Sequence, residues 1–283
     1  MNIKTVGVIG AGTMGNGIAQ VCAAAGLEVK MQDIGEAQVK NGIETISTSL
    51  DRMIKKEKIS TDDKQATLAN IDIATSLDAL ANVDIVIEAA TENEALKLSL
   101  FEQLDEICKS DAILASNTSS ISLTRIAGAT ERAGQVVGMH FMNPVPMMAL
   151  VEVIRALQTT DETCRAVHEL SEFIGKIPIE AKDSPGFVTN RILIPMLNEA
   201  AYVYYEGLAS AEGIDEIMKL GMSHPMGPLA LADLIGLDTC LSVIKVLHEG
   251  FGDSKYRPCP TWQQMVDAGY LGRKSGRGFY VYD

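Results

Sequence analysis

A histidine and a glutamate stand on consecutive apolar segments of the chain. His140 ends one segment, and Glu152 lies inside the next, Leu150-Val151-Glu152-Val153-Ile154. Strand alternation puts Glu152 on one face with Leu150 and Ile154, and a carboxylate on a buried face is costly unless it is paired. An imidazole on a neighbouring strand is a natural partner, and the pair would work as a general base. The alternatives are a structural His140, a Glu152 bound to main chain or to Arg155, or an edge strand with one wet face.

A glycine-rich turn precedes these segments. Gly10-Ala11-Gly12-Thr13-Met14-Gly15 follows an apolar strand and opens a helical pattern, which is typical of a dinucleotide-binding turn. Gly10 permits the tight turn, Gly12 lets the main chain approach a pyrophosphate, and Gly15 lets the helix pack close to the strand. The helix start at Thr13 and Met14 offers N–H groups to phosphates. The alternative is a turn whose glycines serve packing alone.

Asp33 ends the second predicted strand. A carboxylate there can accept hydrogen bonds from the adenosine ribose and would repel a 2′-phosphate. Residues 34–36 contain no arginine or lysine that could neutralise such a phosphate. The sequence therefore predicts NAD rather than NADP as the cofactor.

Two further polar groups are candidates for the same site. Asn117-Thr118-Ser119-Ser120 follows the fifth predicted strand, where a hydroxyl could hold a substrate oxygen or cap a helix. Asn190 shares an inward helical stripe with Phe187, Arg191 and Ile194, so it needs a polar partner. For each group, substrate contact and a structural role remain open.

The elements that must position these residues alternate between strands and helices. Strands are predicted at 5–10, 28–32, 71–74, 85–89, 112–116, 136–140 and 150–154. Helices are predicted at 12–25, 94–108, 187–205, 210–220, 229–248 and 261–268. One last short strand is predicted at 279–282. The long connection 35–70 has helical spacing and indicates an inserted helical hairpin. We therefore expect an α/β, Rossmann-like doubly wound sheet at 1–184 and an all-helical C-terminal domain at 185–283.

Composition limits the partners. The 283 residues carry a formal net charge of −13, which argues against nucleic acid and anionic membranes. Positive charge is nevertheless concentrated at Arg52, Lys55, Lys56 and Lys58 and in the segment 254–282, so small anions are not excluded. The five scattered cysteines predict no metal site and a reducing, cytoplasmic location. Glycines interrupt the nearly uncharged segment 6–25, which predicts neither a signal nor a membrane span.

Together these pieces resemble the 3-hydroxyacyl-CoA dehydrogenase family, in particular its short bacterial members. The resemblance spans essentially the whole chain and rests on ordered blocks. These are VIGAGTMG at 8–15, SNTSS at 116–120, HFMNPVP at 140–146, LVEVI at 150–154, SPGFVTNR at 184–191, HPMGP at 224–228 and GRKSG at 272–276. The sequence differs from the residues more usual in the family at Met142 and Thr189, and neither position has an expected chemical role.

The resemblance implies roles at the matching positions. It implies His140 as the catalytic base, Glu152 as its orienting carboxylate, and Ser119 and Asn190 as ligands of the substrate's 3-oxygen or of the histidine. The implied cofactor contacts are Gly10, Gly12, Thr13, Met14, Gly15, Asp33, Glu92, Lys97, Ser119, Asn143 and Lys274. The implied coenzyme A and substrate contacts are Ser49, Lys56, Lys97, Ser119 and Asn190.

The implied reaction is reversible, NAD-dependent hydride transfer at carbon 3 of a short acyl-CoA in fatty-acid or butyrate metabolism, by a homodimer formed through the C-terminal domain. Two alternatives remain open. One is another NAD-dependent hydroxyacid dehydrogenase of this fold, which would not need the lysine-rich hairpin. The other is a non-catalytic NAD-binding relative, which would not need His140, Glu152, Ser119 and Asn190 together.

Overall fold

The computed structural model describes residues 3–282 and divides the chain into two units, Met1–Asp183 and Ser184–Asp283. The first unit is an α/β structure and the second is helical. Within residues 3–282, no helix is both long and apolar enough to cross a membrane.

An eight-stranded sheet forms the centre of the first unit, in the order β3-β2-β1-β4-β5-β6-β7-β8. Its strands are β1 Thr5–Ile9, β2 Glu28–Gln32, β3 Ile71–Ala74, β4 Ile85–Glu88, β5 Ile113–Ser116, β6 Val136–Phe141, β7 Leu150–Arg155 and β8 Ile177–Lys182. All neighbouring strands are parallel except β6 and β7. The predicted Rossmann-like sheet is confirmed.

Helices cover the sheet. They are α1 Thr13–Ala24, α2 Glu36–Lys55, α3 Thr61–Ala69, α4 Glu94–Ile107, α5 Leu123–Ala127 and α6 Asp161–Phe173. One continuous core joins Ile18 of α1, Ile46 of α2 and Val167 of α6 to Val8 of the sheet. Helices α2 and α3 form the predicted inserted hairpin, and a reciprocal capping box with Asp63 starts α3.

Strand β8 is not among the sequence predictions. It pairs with β7 alone and is one of the two edge strands, with β3 at the other edge, so most of its residues stay exposed to water. Edge strands tolerate proline and charge, and β8 contains Pro178, Glu180 and Lys182. It therefore lacks the apolar run that marks central strands such as β1 and β4.

Five α-helices make up most of the described part of the second unit, residues 184–282. They are α7 Thr189–Tyr205, α8 Ala211–Met222, α9 Pro228–Ile235, α10 Leu237–Phe251 and α11 Pro260–Asp267. Their core surrounds Trp262, whose Nε1 donates to Oδ1 of Asn198 at 2.8 Å. The side chain of Asn198 thus satisfies a buried indole N–H at the centre of the bundle.

Two predictions for this unit are wrong. The single helix at 229–248 is two helices, because Gly236 between them has a φ of +106°, which a right-handed helix cannot contain. The segment 279–282 forms no strand and has one isolated bridge, between Val281 and Arg277. The Asp233 carboxylate instead accepts the main-chain N–H groups of Phe279 and Tyr280, each at 3.0 Å.

Candidate active site

His140 and Glu152 form a buried pair. They are Cα partners in the antiparallel β6–β7 ladder, and Nδ1 of His140 lies 2.7 Å from Oε2 of Glu152. Only 8% of His140 and 4% of Glu152 is exposed. A carboxylate accepts from Nδ1–H, which leaves Nε2 as the basic nitrogen of the ring. The pairing expected from the buried carboxylate is present, and its chemical role stays a proposal.

The pair lies at the edge of the sheet where the parallel strands end. His140 is the penultimate residue of β6. The short connection 142–149 cannot make a parallel crossover, so β7 returns antiparallel and brings Glu152 to the same edge. In open α/β sheets, ligands bind at the carboxyl ends of the strands.

The glycine turn follows β1 at this same edge, at the point where strand order reverses between β1 and β4. Gly10 has a φ of +93°. A Cβ at Gly15 would lie 1.7 Å from the Gly10 carbonyl oxygen, whereas one at Gly12 would meet nothing within 4 Å. The first turn of α1 has no acidic residue, and Gly12 provides no side-chain cap. The open space and unblocked N–H groups at Gly12, Thr13 and Met14 fit a pyrophosphate.

Asp33 lies just beyond β2 and holds this turn. Its Oδ2 accepts the N–H of Ala11 and its Oδ1 accepts the N–H of Ile34, each at 2.7 Å. The carboxylate is part-exposed beside the turn, where it suits ribose hydroxyls and disfavours a 2′-phosphate. These features fit NAD.

Glu92 organises the loop that contains Ser119. Its Oε1 accepts hydrogen bonds from the hydroxyls of Thr118 and Ser120, at 2.6 and 2.9 Å, and from the N–H of Ser119 at 3.0 Å. Burial alone would raise the pKa of the Glu92 carboxyl, but the Lys97 ammonium and these hydrogen bonds outweigh it and lower the pKa. Glu92 is thus a fixed anion that orients Ser119.

Lys97 lies in a buried ion pair, not at the surface. Its Nζ is 2.6 Å from Oε1 of Glu88 and 3.4 Å from Oε2 of Glu92. Its side chain is 1% exposed, and its two carboxylate partners hold it inside the protein next to Glu92. Its contacts with the cofactor and with coenzyme A stay predictions.

Glu88 is missing from the residues that the sequence pointed to. It is fully buried at the end of β4 and also accepts from the Ser116 hydroxyl and the Ala90 N–H, at 2.6 and 2.7 Å. A carboxylate ending the apolar strand Ile85-Val86-Ile87-Glu88 was the available signal, by the same reasoning that found Glu152. Glu88 ties the ends of β4 and β5 together.

A groove of about 560 Å³ runs between α1, α2 and the connection 142–149. Ser49 and Asn143, both implicated by the resemblance, line it together with Thr13 and Arg52. Lys56 follows α2 as its capping residue, is exposed, and does not line the groove. Arg52, one turn after Ser49, is the cation that the groove itself provides.

Two predicted site residues belong to the second unit. Asn190 is the second residue of α7, and its N–H donates to the carbonyl of Gly186 at 3.1 Å. The Nζ of Lys274 lies 2.5 Å from Oδ1 of Asp238. Burial acts to raise the pKa of Asp238, but the hydrogen bond from Lys274 more than offsets it and lowers the pKa.

The turn at the switch point fits a dinucleotide, and a paired histidine at the same sheet edge suits the proton of an alcohol substrate. This combination defines an NAD-dependent dehydrogenase. The comparisons with known proteins give the family. Residues 5–184 match the NAD binding domain of 3-hydroxyacyl-CoA dehydrogenase, and residues 186–282 match its C-terminal domain. The chain belongs to the 3-hydroxyacyl-CoA dehydrogenase family.

Individual relatives agree with this assignment. A crystal structure of (S)-3-hydroxybutyryl-CoA dehydrogenase from Ralstonia eutropha is 60% identical, has a TM-score of 0.97 and matches 100% of both chains. A probable 3-hydroxybutyryl-CoA dehydrogenase of Bacillus subtilis is 54% identical over 100% of this chain and 99% of its own. A 3-hydroxybutyryl-CoA dehydrogenase of Bradyrhizobium diazoefficiens is 53% identical over 99% and 96%.

Proposed function

We propose that this enzyme interconverts acetoacetyl-CoA and (S)-3-hydroxybutyryl-CoA with NAD(H), and that it favours short acyl chains. The observation that carries the proposal is the buried His140–Glu152 pair, 2.7 Å between Nδ1 and Oε2, at the edge of the sheet that also bears the glycine turn. The relatives at 48–60% identity that bear the name of this activity support the choice of substrate.

The residues divide the proposed chemistry among themselves. Bound NAD supplies the hydride acceptor or donor. In oxidation, Nε2 of His140 takes the proton of the 3-hydroxyl, and in reduction the imidazolium returns a proton to the 3-oxygen. Glu152 holds the ring in one tautomer and stabilises the imidazolium. Ser119 and Asn190 are proposed to bind the 3-oxygen or the histidine.

The groove beside α2 is the proposed site for coenzyme A. Ser49 can hydrogen-bond to the thioester's nucleotide portion, and Arg52 supplies positive charge in the groove itself. Lys56 and its neighbours Lys55 and Lys58 lie exposed at the end of the same helix, where they can attract the phosphates. Local cations thus offset the net charge of −13 for this anionic ligand.

The proposed assembly is a homodimer formed through the second unit. That unit exposes large apolar side chains, among them Ile192 on α7 and Ile217 and Leu220 on α8, and Leu220 is 81% exposed. Large exposed apolar patches are typical of interfaces.

The proposed location is the cytoplasm, a reducing compartment, which suits five free, buried cysteines.

The direct test mixes the enzyme with NADH and acetoacetyl-CoA and follows the loss of NADH absorbance. We expect turnover that falls as the 3-ketoacyl chain lengthens, and little turnover with NADPH. Absence of turnover with every thioester, in folded protein that binds NADH, would rule out the proposed substrate and favour another hydroxyacid dehydrogenase.

The test of the dimer is light scattering. It should give a mass twice that of one chain, and Leu220→Asp should lower this mass. A monomeric wild-type protein would refute the assembly.

A further inference from the structure

The connection 142–149 between β6 and β7 forms one wall of the groove and packs on the dinucleotide helix. Val145 is 1% exposed, and a Cβ at Gly17 of α1 would lie 2.8 Å from its Cβ. Asn143 and Pro144 line the groove together with Ser49. The position of this connection therefore sets how Asn143 is presented and how wide the groove is.

Lys176 lies beside this connection, immediately before β8. Helix α6 ends just before it, and Gly175 turns the chain with a φ of +76°. The N–H of Lys176 donates to the Ser171 carbonyl, and the N–H of Ile177 donates to the Ala149 carbonyl, both at 2.8 Å. The main chain is thus fixed on both sides of the side chain.

The ammonium of Lys176 points into the protein, to the connection. Its Nζ donates to the main-chain carbonyls of Val145 and Met148, at 2.5 and 2.8 Å, and only 8% of the residue is exposed. Among residues 3–282, no carboxylate forms an ion pair with it. Burial lowers the pKa of Lys176, and the Cys22 thiol of α1 only partly opposes that shift.

A buried cation with only carbonyl partners is costly to keep, and its hydrogen bonds demand one geometry. Both carbonyls must face a single nitrogen, so they fix the conformation of the connection between Val145 and Met148. An apolar side chain of the same length could fill the space but could not impose this geometry.

We propose that Lys176 is a positioning residue whose two hydrogen bonds fix the connection 142–149 in the form that presents Asn143 to the cofactor and shapes the groove for the thioester. Lys176 acts through the connection and touches no reacting atom. The identity of the ligands rests on the proposed function.

The test compares Lys176→Met, which keeps the length of the side chain and loses its donors, with Lys182→Met, which removes an exposed cation at the last residue of β8. For Lys176→Met we expect the KM for acetoacetyl-CoA and the Kd for NADH to rise about tenfold, because a tenfold change corresponds to roughly one charged hydrogen bond. Because the His140–Glu152 ladder is untouched, kcat should stay within about threefold. Lys182→Met should match the wild type.

A folded Lys176→Met protein with a wild-type KM and NADH Kd, and only a lower melting temperature, would overturn the proposal. If Lys176→Met does not fold, Lys176→Gln replaces it, since its amide nitrogen is one bond closer to the main chain and cannot bridge both carbonyls. Unchanged KM and Kd in that variant would overturn the proposal equally. The NADH titration needs no thioester, so it tests Lys176 even if acetoacetyl-CoA is not the substrate.

Discussion

Glu152 lies directly opposite His140 across the antiparallel β6–β7 ladder, and their side chains meet at 2.7 Å. The main-chain register of two sheet strands therefore sets the pair, without help from a flexible loop. A slip of β7 by one residue would turn Glu152 to the other face of the sheet. The pairing of the two strands thus fixes the position of the proposed base relative to Glu152.

Replacing either member of this pair should abolish most turnover. For His140→Gln we expect a fall in kcat of about a hundred- to ten-thousand-fold, because the general base is lost. For Glu152→Gln we expect a large fall as well, because an amide can hold the ring in the wrong tautomer. Steady-state kinetics with acetoacetyl-CoA measure both. NADH binding should stay near normal.

His168→Gln is the matched control for the pair. His168 and Glu180 are a second His–Glu pair in the same unit, but Nε2 of His168 lies 4.0 Å from Oε2 of Glu180, too long for a hydrogen bond, and the His168 side chain is 32% exposed. We expect wild-type kinetics. Equal losses in His140→Gln and His168→Gln would contradict a specific role for His140.

Asp33 should set the preference for NADH over NADPH. In Asp33→Asn, an amide oxygen can still accept the Ala11 N–H, while the charge that repels a 2′-phosphate is gone. We expect the NADH/NADPH ratio of kcat/KM to fall about tenfold, mainly through better use of NADPH. A ratio equal to that of the wild type would show that another group discriminates between the cofactors.

The Glu88–Lys97 pair should matter far more for stability than a surface pair of similar length. In Lys97→Met, Glu88 becomes a buried, unpaired carboxylate, and we expect a loss of about 3–5 kcal/mol in the free energy of unfolding. Urea denaturation measures it. We also expect weaker NADH binding, because Glu92 loses its cation.

Lys64→Met is the control for that experiment. Its Nζ is 2.7 Å from Oδ1 of Asp51, but the Asp51 side chain is 60% exposed, so we expect a loss of about 1 kcal/mol or less. Similar losses in the two variants would refute the dependence on burial.

Asp84 should contribute stability that acid removes. Burial opposes its ionisation, but the hydrogen bond from Lys109 and those from the N–H groups of Lys4 and Thr5 lower its pKa from 3.8 to about 2. A lowered carboxyl pKa stabilises the fold above the unfolded value, and this stabilisation disappears as the pH falls toward the folded value. We expect Asp84→Asn to cost about 2 kcal/mol at pH 7 and roughly half of that near pH 3. A cost that does not change with pH would contradict this.

Much of the fold and site is encoded in local patterns. Nearly continuous apolar runs mark β1, β4, β5 and β6 because both faces of those strands are covered, and helical spacing marks the α2–α3 hairpin. The glycine turn is recognisable because each glycine answers a local steric demand, as the 1.7 Å approach at Gly15 illustrates. Even the partner of Glu152 was predictable, since a buried carboxylate requires one.

Other features depend on tertiary contacts, because no local sequence periodicity specifies which residues meet. The direction of β7 and its register with β6 fix the His140–Glu152 geometry. From the sequence alone, Lys97 would be taken for an exposed lysine on a surface helix. Only the packing of α4 against the end of β4 brings its side chain to Glu88. Lys176 likewise reaches Val145 across 31 positions. A side chain's burial and partner depend on which elements the fold brings beside it, and the sequence encodes that collectively, through the packing of the whole domain.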